Sequence, residues 1–127
     1  MVLVIGGYAQ GKLDYVRQRW QMEKLVVWDG MLPEKREEVD ACVVVNHLHL
    51  WIKECLLHKE DPMGKLDEFL EETPDCILIS DEIGNGIVPV DAFEREYREK
   101  TGRILIVLAK RAEEVERIVC GMAQKIK

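Results

Sequence analysis

The sequence predicts an α/β protein with a mainly parallel sheet covered by helices. Three observations carry that prediction. Short apolar runs, "VLVI", "KLVVW", "ACVVV" and "CILIS", suit strands buried on both faces of a sheet. The stretches between them place apolar residues at helical spacing, and strand alternating with helix implies parallel pairing. A glycine-rich segment, "GGYAQGK", joins the first apolar run to the first helical stretch.

The elements follow in order. "VLVIGG" (2–7) is a strand closed by glycines. "GKLDYVRQRWQ" (11–21) sets Leu13, Val16 and Trp20 on one helical stripe, with charge elsewhere. "KLVVW" (24–28) is a second buried strand. "DGMLPEKREEVD" (29–40) is polar and turn-rich, a loop with a short helix expected after Pro33. "ACVVV" (41–45) is the third strand. "HLHLWIKECLLH" (47–58) carries Leu48, Trp51, Ile52, Cys55 and Leu56 at helical spacing. Another helix begins with Asp61 as N-cap and Pro62 at its first position. "DCILIS" (75–80) is the fourth strand, and "DEIGNGIVPV" (81–90) is a glycine- and proline-punctuated loop. Residues 91–114 read as one long helix or two stacked ones. Phe93, Tyr97, Ile104, Leu108 and Ala112 keep its stripe, and Gly102 is a candidate break. "VERIVCG" (115–121) is a last strand, followed by a basic tail, "MAQKIK". Without repeats or linkers, residues 1–127 read as a single nucleotide-binding domain.

Composition narrows the function classes. Hydrophobic residues make up 47% and charged residues 33%, the balance of a globular chain. A net charge of −6 without a Lys/Arg cluster argues against a nucleic-acid partner. No apolar run approaches the ~20 residues that span a bilayer, so no membrane partner is expected. The start lacks a basic segment and a small-residue cleavage site, so no signal peptide is read. Cys42, Cys55, Cys76 and Cys120 are dispersed and form no C-x-x-C. Reduced thiols in a cytoplasmic protein are the expectation.

Gly6, Gly11 and Lys12 satisfy G-x-x-x-x-G-K. Glycines let backbone N–H groups turn inward around phosphate oxygens, a helix N-terminus adds partial positive charge, and the lysine reaches the outer phosphates. The expected nucleotide-binding residues are Gly6, Gly7, Tyr8, Ala9, Gln10, Gly11, Lys12 and Leu13. The bland alternative is a glycine turn with Lys12 exposed. A magnesium-dependent loop would carry Ser or Thr where Leu13 stands, because that hydroxyl ligates Mg²⁺.

"ISDEIGNGIVP" (79–89) resembles "V-(S/T)-N-E-V-G-x-G-I-V-P", a signature of the cobinamide kinase/cobinamide-phosphate guanylyltransferase family of cobalamin biosynthesis. "YREKTGR" (97–103) resembles the family's "FRDxxGR", "AEEV" (112–115) its "ADEV", "NHLHLWIKECLL" (46–57) its "DCLTLWLSNLL", and "GGYAQGKL" its "GGxxSGKS". The closing "GMAQKIK" is similar to its glycine-containing, lysine-rich end. The resemblance implies a P-loop NTPase fold of the RecA-like, three-layer kind, with ATP or GTP as ligand. It also implies cobinamide, a corrinoid, as substrate, phosphorylated and then joined to GMP. Family members assemble as homo-oligomers, commonly trimers. The chain departs from the pattern at Leu13, at Asn46 in place of an acidic residue, at Asp81 in place of Asn, and at Leu105 and Ile106 in place of Asn-Gln. The family's guanylyl-accepting histidine lies between its second and third strands, where residues 29–41 contain none.

Lys12 and Glu82 are the candidate catalytic groups. Glu82 would position substrate or metal, or else accept backbone N–H bonds in its loop. Asp29, Asn46, His47, Ser80 and Asp81 are candidate cleft residues, because open α/β sheets bind ligands at the carboxyl ends of their strands. On one helix His47 and His49 point to opposite sides and His58 lies about 16 Å from His47, so no histidine metal site is expected. Either His47 or His49 remains a substitute guanylyl acceptor. Trp20, Trp28 and Trp51 read as core, and "EKREEVD" as a solvated face.

The leading reading is therefore a nucleotide-binding member of this family. It keeps the phosphate cradle while the metal-ligand positions for Mg²⁺ are degraded and no metal ligand is assigned. Two alternatives stand beside it: a non-catalytic relative serving as a binding or assembly subunit, and a P-loop kinase for another small substrate.

Overall fold

The structure, a computed structural model, describes residues 1–84 and 90–127. Six strands form one sheet: β1 (Val2–Gly6), β2 (Lys24–Asp29), β3 (Ala41–Asn46), β4 (Cys76–Asp81), β5 (Glu114–Val119) and β6 (Met122–Lys125). Their spatial order is β2-β3-β4-β1-β5-β6, so one strand, β4, separates β1 from β3. The first five strands pair in parallel, and β6 runs antiparallel to β5. The helices are α1 (Lys12–Arg19), α2 (Leu48–Leu57), α3 (Pro62–Glu72) and α4 (Ala92–Arg111).

Alternate strand residues feed two hydrophobic layers, because successive side chains leave opposite faces of a strand. Leu3, Val43, Val45, Leu78 and Val115 pack under α2, α3 and α4 through Leu48, Ile52, Leu66, Tyr97, Ile104 and Leu108. On the other face Val4, Val44, Ile77, Ile79 and Ile118 meet Val16 of α1, flanked by Leu13, Tyr15 and Trp20. The result is the three-layer arrangement of a P-loop NTPase fold. Asp61 caps α3 through the Met63 N–H, with Pro62 at the first turn, as the sequence predicts. Among the described residues no helix is long and apolar enough to cross a membrane.

Three local expectations are corrected, and of the two readings of residues 91–114 the single long helix is the one observed. β2 is an edge strand, with its middle residues half-buried and its ends exposed, rather than buried on both faces. No helix follows Pro33. Parallel pairing makes residues 30–40 travel back along the full length of β2, and an extended chain covers about 3.3 Å per residue against 1.5 Å for a helix. The Trp28 indole N–H donates to Glu37 at 3.2 Å, and Lys24 pairs with Glu38, tying the segment to β2. α4 runs through Gly102 without a break, because buried Thr101 and Ile104 continue its stripe. The basic tail is mostly strand: Val119 pairs with Met122 across a two-residue turn. Cys120 and Gly121 both have positive φ, 50° and 75°, the turn geometry whose twist matches a hairpin.

The glycines and proline of residues 81–90 predict a loop. Residues 85–89 of it, including the core of the "GNGIVP" motif, lie outside the described residues.

Candidate functional site

Parallel pairing puts the carboxyl ends of β1, β2, β3 and β4 along one edge of the sheet. Gly6, Asp29, Asn46 and Asp81 end these strands, with Gly6 level with Asp81 and Asp29 level with Asn46. Gly6 is required by packing: a Cβ there would lie 2.6 Å from the Ile118 carbonyl oxygen of β5. Gly11 enters α1 with φ of 85°, a left-handed conformation that glycine adopts without strain.

Lys12 is buried, not exposed as the bland alternative requires. Its Nζ donates to the Gly7 carbonyl oxygen at 2.6 Å and lies 2.7 Å from Asp81 Oδ1. The ammonium therefore sits inside its own loop. Leu13 packs against the apolar layer under α1 and offers no oxygen to the loop. Gln10 ties the loop to the β5–β6 hairpin. Its Oε1 accepts the Cys120 N–H at 2.8 Å, its carbonyl oxygen accepts the Gly121 N–H at 2.8 Å, and its Nε2 donates to the Tyr8 carbonyl oxygen at 3.3 Å.

Beside the loop lies a second cluster. Asp29 Oδ1 accepts from Asn46 Nδ2 at 2.9 Å and lies 2.6 Å from His47 Nδ1. His47 does not share a helix with His49. It precedes α2 with φ of 54°, and the two rings meet edge to face with centroids 5.6 Å apart. The expectation that they point to opposite sides is overturned by that backbone turn. His49 is buried. Its Nδ1 accepts the Asp81 N–H at 3.1 Å, and its Nε2 lies 3.4 Å from Asp81 Oδ2. This arrangement selects the neutral tautomer protonated at Nε2. Burial pushes the His49 pKa below its ordinary value, and the neighbouring Asp81 charge opposes that shift only in part.

Together these groups line a cleft of about 340 Å³, formed by residues 8–14 with Asn46, His47 and Asp81. Among the described residues two helices start at this cleft, α1 after Gly11 and α2 after His47, and no side chain caps either. The two helices that start elsewhere are capped by Asp61 and Asp91. Uncapped first-turn N–H groups carry the positive end of the helix dipole, which favours an anion. A larger groove of about 600 Å³ lies between α2, α3 and α4, lined by residues such as Leu57, Pro62, Phe93 and Lys100. It holds no uncapped helix start, so the smaller cleft is the candidate site.

Of the remaining candidates, Asp29 borders the cleft through Asn46 and His47. Ser80 is fully buried, and its Oγ donates to the Asp81 carbonyl oxygen. Glu82 stands apart from the cleft lining. Its carboxylate meets Arg117 at 3.1 Å, and its N–H donates to the Gly6 carbonyl oxygen at 2.7 Å. Trp51 is buried, while Trp20 and Trp28 are half-buried against the two layers. Sequence reasoning missed three features: Asp14 in the cleft lining, the clamp of His49 on Asp81, and the hairpin turn behind Gln10.

An ordinary Mg²⁺ at the ends of β1 and β3 does not fit these residues. Leu13 is engaged in apolar packing, and Asn46 offers an uncharged amide that donates to Asp29. Among the described residues, no group of three or more His, Cys, Asp or Glu side chains is arranged to hold a metal.

A glycine loop between a central parallel strand and an uncapped helix, with a buried lysine at the turn, defines a protein of the P-loop class. The chain belongs to the CobU family, cobinamide kinase / cobinamide phosphate guanyltransferase, whose pattern matches residues 14–126. That match begins just beyond Lys12 and Leu13, so the phosphate loop stands on its own geometry. The chain is 33% identical over 102 residues to the bifunctional adenosylcobalamin biosynthesis protein CobP of Pseudomonas aeruginosa, covering 72% of this chain and 58% of that protein. It is 41% identical over 51 residues to the bifunctional adenosylcobalamin biosynthesis protein CobU of Salmonella typhimurium, 40% of this chain and 28% of that one. The Escherichia coli CobU protein matches to the same extent. The chain thus spans little more than half the length of the first of these relatives, and less of the other two.

Proposed function

We propose that the protein binds a purine nucleotide, ATP or GTP, through Gly6–Leu13, and that it is a divergent family member whose metal-dependent kinase and guanylyltransferase chemistry is reduced or lost. The observation that carries the reading is the meeting of two uncapped helix starts with Lys12 in one cleft. Backbone donors, helix dipoles and a lysine recognise phosphate without a metal. Phosphoryl transfer needs more, because it relies on Mg²⁺ and lysine to neutralise developing charge. Leu13 and Asn46 remove the protein's usual handles on that ion. Cobinamide as a second ligand, assembly with further copies as a trimer, and a cytoplasmic location follow from the family and belong to the same proposal. A binding or assembly subunit fits this description better than an intact bifunctional enzyme.

Thermal unfolding with ATP or GTP in EDTA tests the reading. Nucleotide at about 100 times its Kd stabilises the fold by about 2.7 kcal/mol. That shift is expected with the native chain and not with Lys12→Ala. No shift with either nucleotide, or an equal shift in Lys12→Ala, overturns it.

A further inference from the structure

We propose that Asp29, His47 and Asn46 form a binding site for a divalent transition-metal ion at the edge of the phosphate cleft. The site's use beside a nucleotide rests on the reading above; its existence does not.

Asp29 Oδ1 is the focus of the cluster. It lies 2.6 Å from His47 Nδ1 and 2.9 Å from Asn46 Nδ2, and those two nitrogens are 3.4 Å apart. One ion with bonds of about 2.1 Å to nitrogen and oxygen spans ligand atoms roughly 3 Å apart. Rotation of the Asn46 amide turns its oxygen to the same point. Register fixes the pair, since Asp29 and Asn46 are level on β2 and β3. The Gly30 N–H donates to the Asn46 carbonyl oxygen at 2.8 Å, which holds the chain as it leaves Asp29. The left-handed backbone of His47 turns its ring back to Asp29 instead of along α2.

Charge supports the assignment. Asp81 already faces Lys12, but among the described residues the only ion-pair partner of Asp29 is His47. Both side chains are open to solvent, 65% and 42% exposed, so an ion can enter. Imidazole suits ions such as iron, nickel and zinc, whereas magnesium prefers oxygen ligands. Two strong ligands and an amide leave positions for water or phosphate oxygens.

The test uses Mn²⁺ alone, without nucleotide, titrated into the full chain and followed by loss of the free-ion EPR signal. Mn²⁺ is chosen because it avoids the exposed thiol of Cys120. Asp29→Asn and His47→Gln are each expected to weaken binding by on the order of tenfold or more. His58→Gln is the control, because His58 and Glu54 form another histidine–carboxylate pair, at 2.8 Å on α2. That variant should bind as the native chain does, and because the titration contains no nucleotide its outcome is separate from the nucleotide reading. Mg²⁺ in tenfold excess should compete poorly. No Mn²⁺ binding by the native chain, equal binding by both cluster variants, or loss in His58→Gln overturns the proposal. Should one cluster variant fail to fold, the other decides.

Discussion

Lys12 Nζ lies 2.7 Å from Asp81 Oδ1 while donating to the Gly7 carbonyl oxygen at 2.6 Å. The cation expected to hold phosphate is neutralised and folded into its own loop. An incoming phosphate must therefore compete with Asp81. Asp81→Asn keeps the shape and removes the competitor, so it should tighten ATP binding severalfold by equilibrium dialysis. The same pair contributes to stability. Among the described residues, Lys12→Ala leaves Asp81 largely buried with only His49 beside it, and such uncompensated charges cost several kcal/mol. The double variant should recover part of that loss, with a coupling of about 1–3 kcal/mol in urea denaturation. Additive effects would mean the pair is not coupled.

The glycines separate packing from backbone freedom. Gly6→Ala drives a Cβ to 2.6 Å from the Ile118 carbonyl oxygen, so β1 and β5 must part. A loss of about 1–3 kcal/mol is expected. Gly102→Ala meets nothing within 4 Å in the middle of α4 and should gain about 0.5–1 kcal/mol. Calorimetric Tm values of opposite sign would support both assignments. A neutral Gly6→Ala would deny the close approach.

His49 makes stability fall in mild acid. Burial lowers its folded pKa below the ordinary 6.5. Below pH 6.5 the unfolded chain takes up a proton that the folded chain refuses, so stability drops as pH falls from 6.5 through the folded pKa. Glu60 and Glu114, held low by Lys65 and Arg19, lose their contributions only as pH falls below about 4.5, outside this window. Urea midpoints at pH 7 and pH 5 should differ in the native chain. His49→Asn should flatten that difference, and an unchanged slope would place the effect elsewhere.

Leu13→Ser combined with Asn46→Asp restores both positions at which a magnesium-dependent loop holds its ion. Mg²⁺ should then tighten ATP binding by roughly tenfold or more, where it has little effect on the native chain. Calorimetric titration at matched ionic strength reads this directly. A double variant indifferent to Mg²⁺ would show that these two residues are not what separates the chain from metal chemistry.

Central strands were readable in the sequence because β1 and β4 are apolar on both faces. β2 carries the same kind of run, "KLVVW", yet lies at the sheet edge, since an apolar run does not say which strand will be outermost. The loop was readable from Gly6, Gly11 and Lys12, but the pairing of Lys12 with Asp81 depends on register between strands 70 residues apart in sequence, as β1 and β4 align Gly6 with Asp81. The turn at His47 was not readable, because a left-handed conformation is uncommon at a non-glycine residue and leaves no mark in the apolar pattern. Nor was the hairpin. "MAQK" is exposed throughout and becomes a strand only because Cys120 and Gly121 turn it onto β5.

The central claim is a phosphate cradle that works without magnesium. Isothermal titration of the full chain with ATP and GTP, in EDTA and then in Mg²⁺, tests it most directly. Binding in EDTA that Mg²⁺ scarcely changes, and that Lys12→Ala abolishes, is the predicted result. Absence of binding to the native chain, a strict requirement for Mg²⁺, or unchanged binding in Lys12→Ala would contradict it.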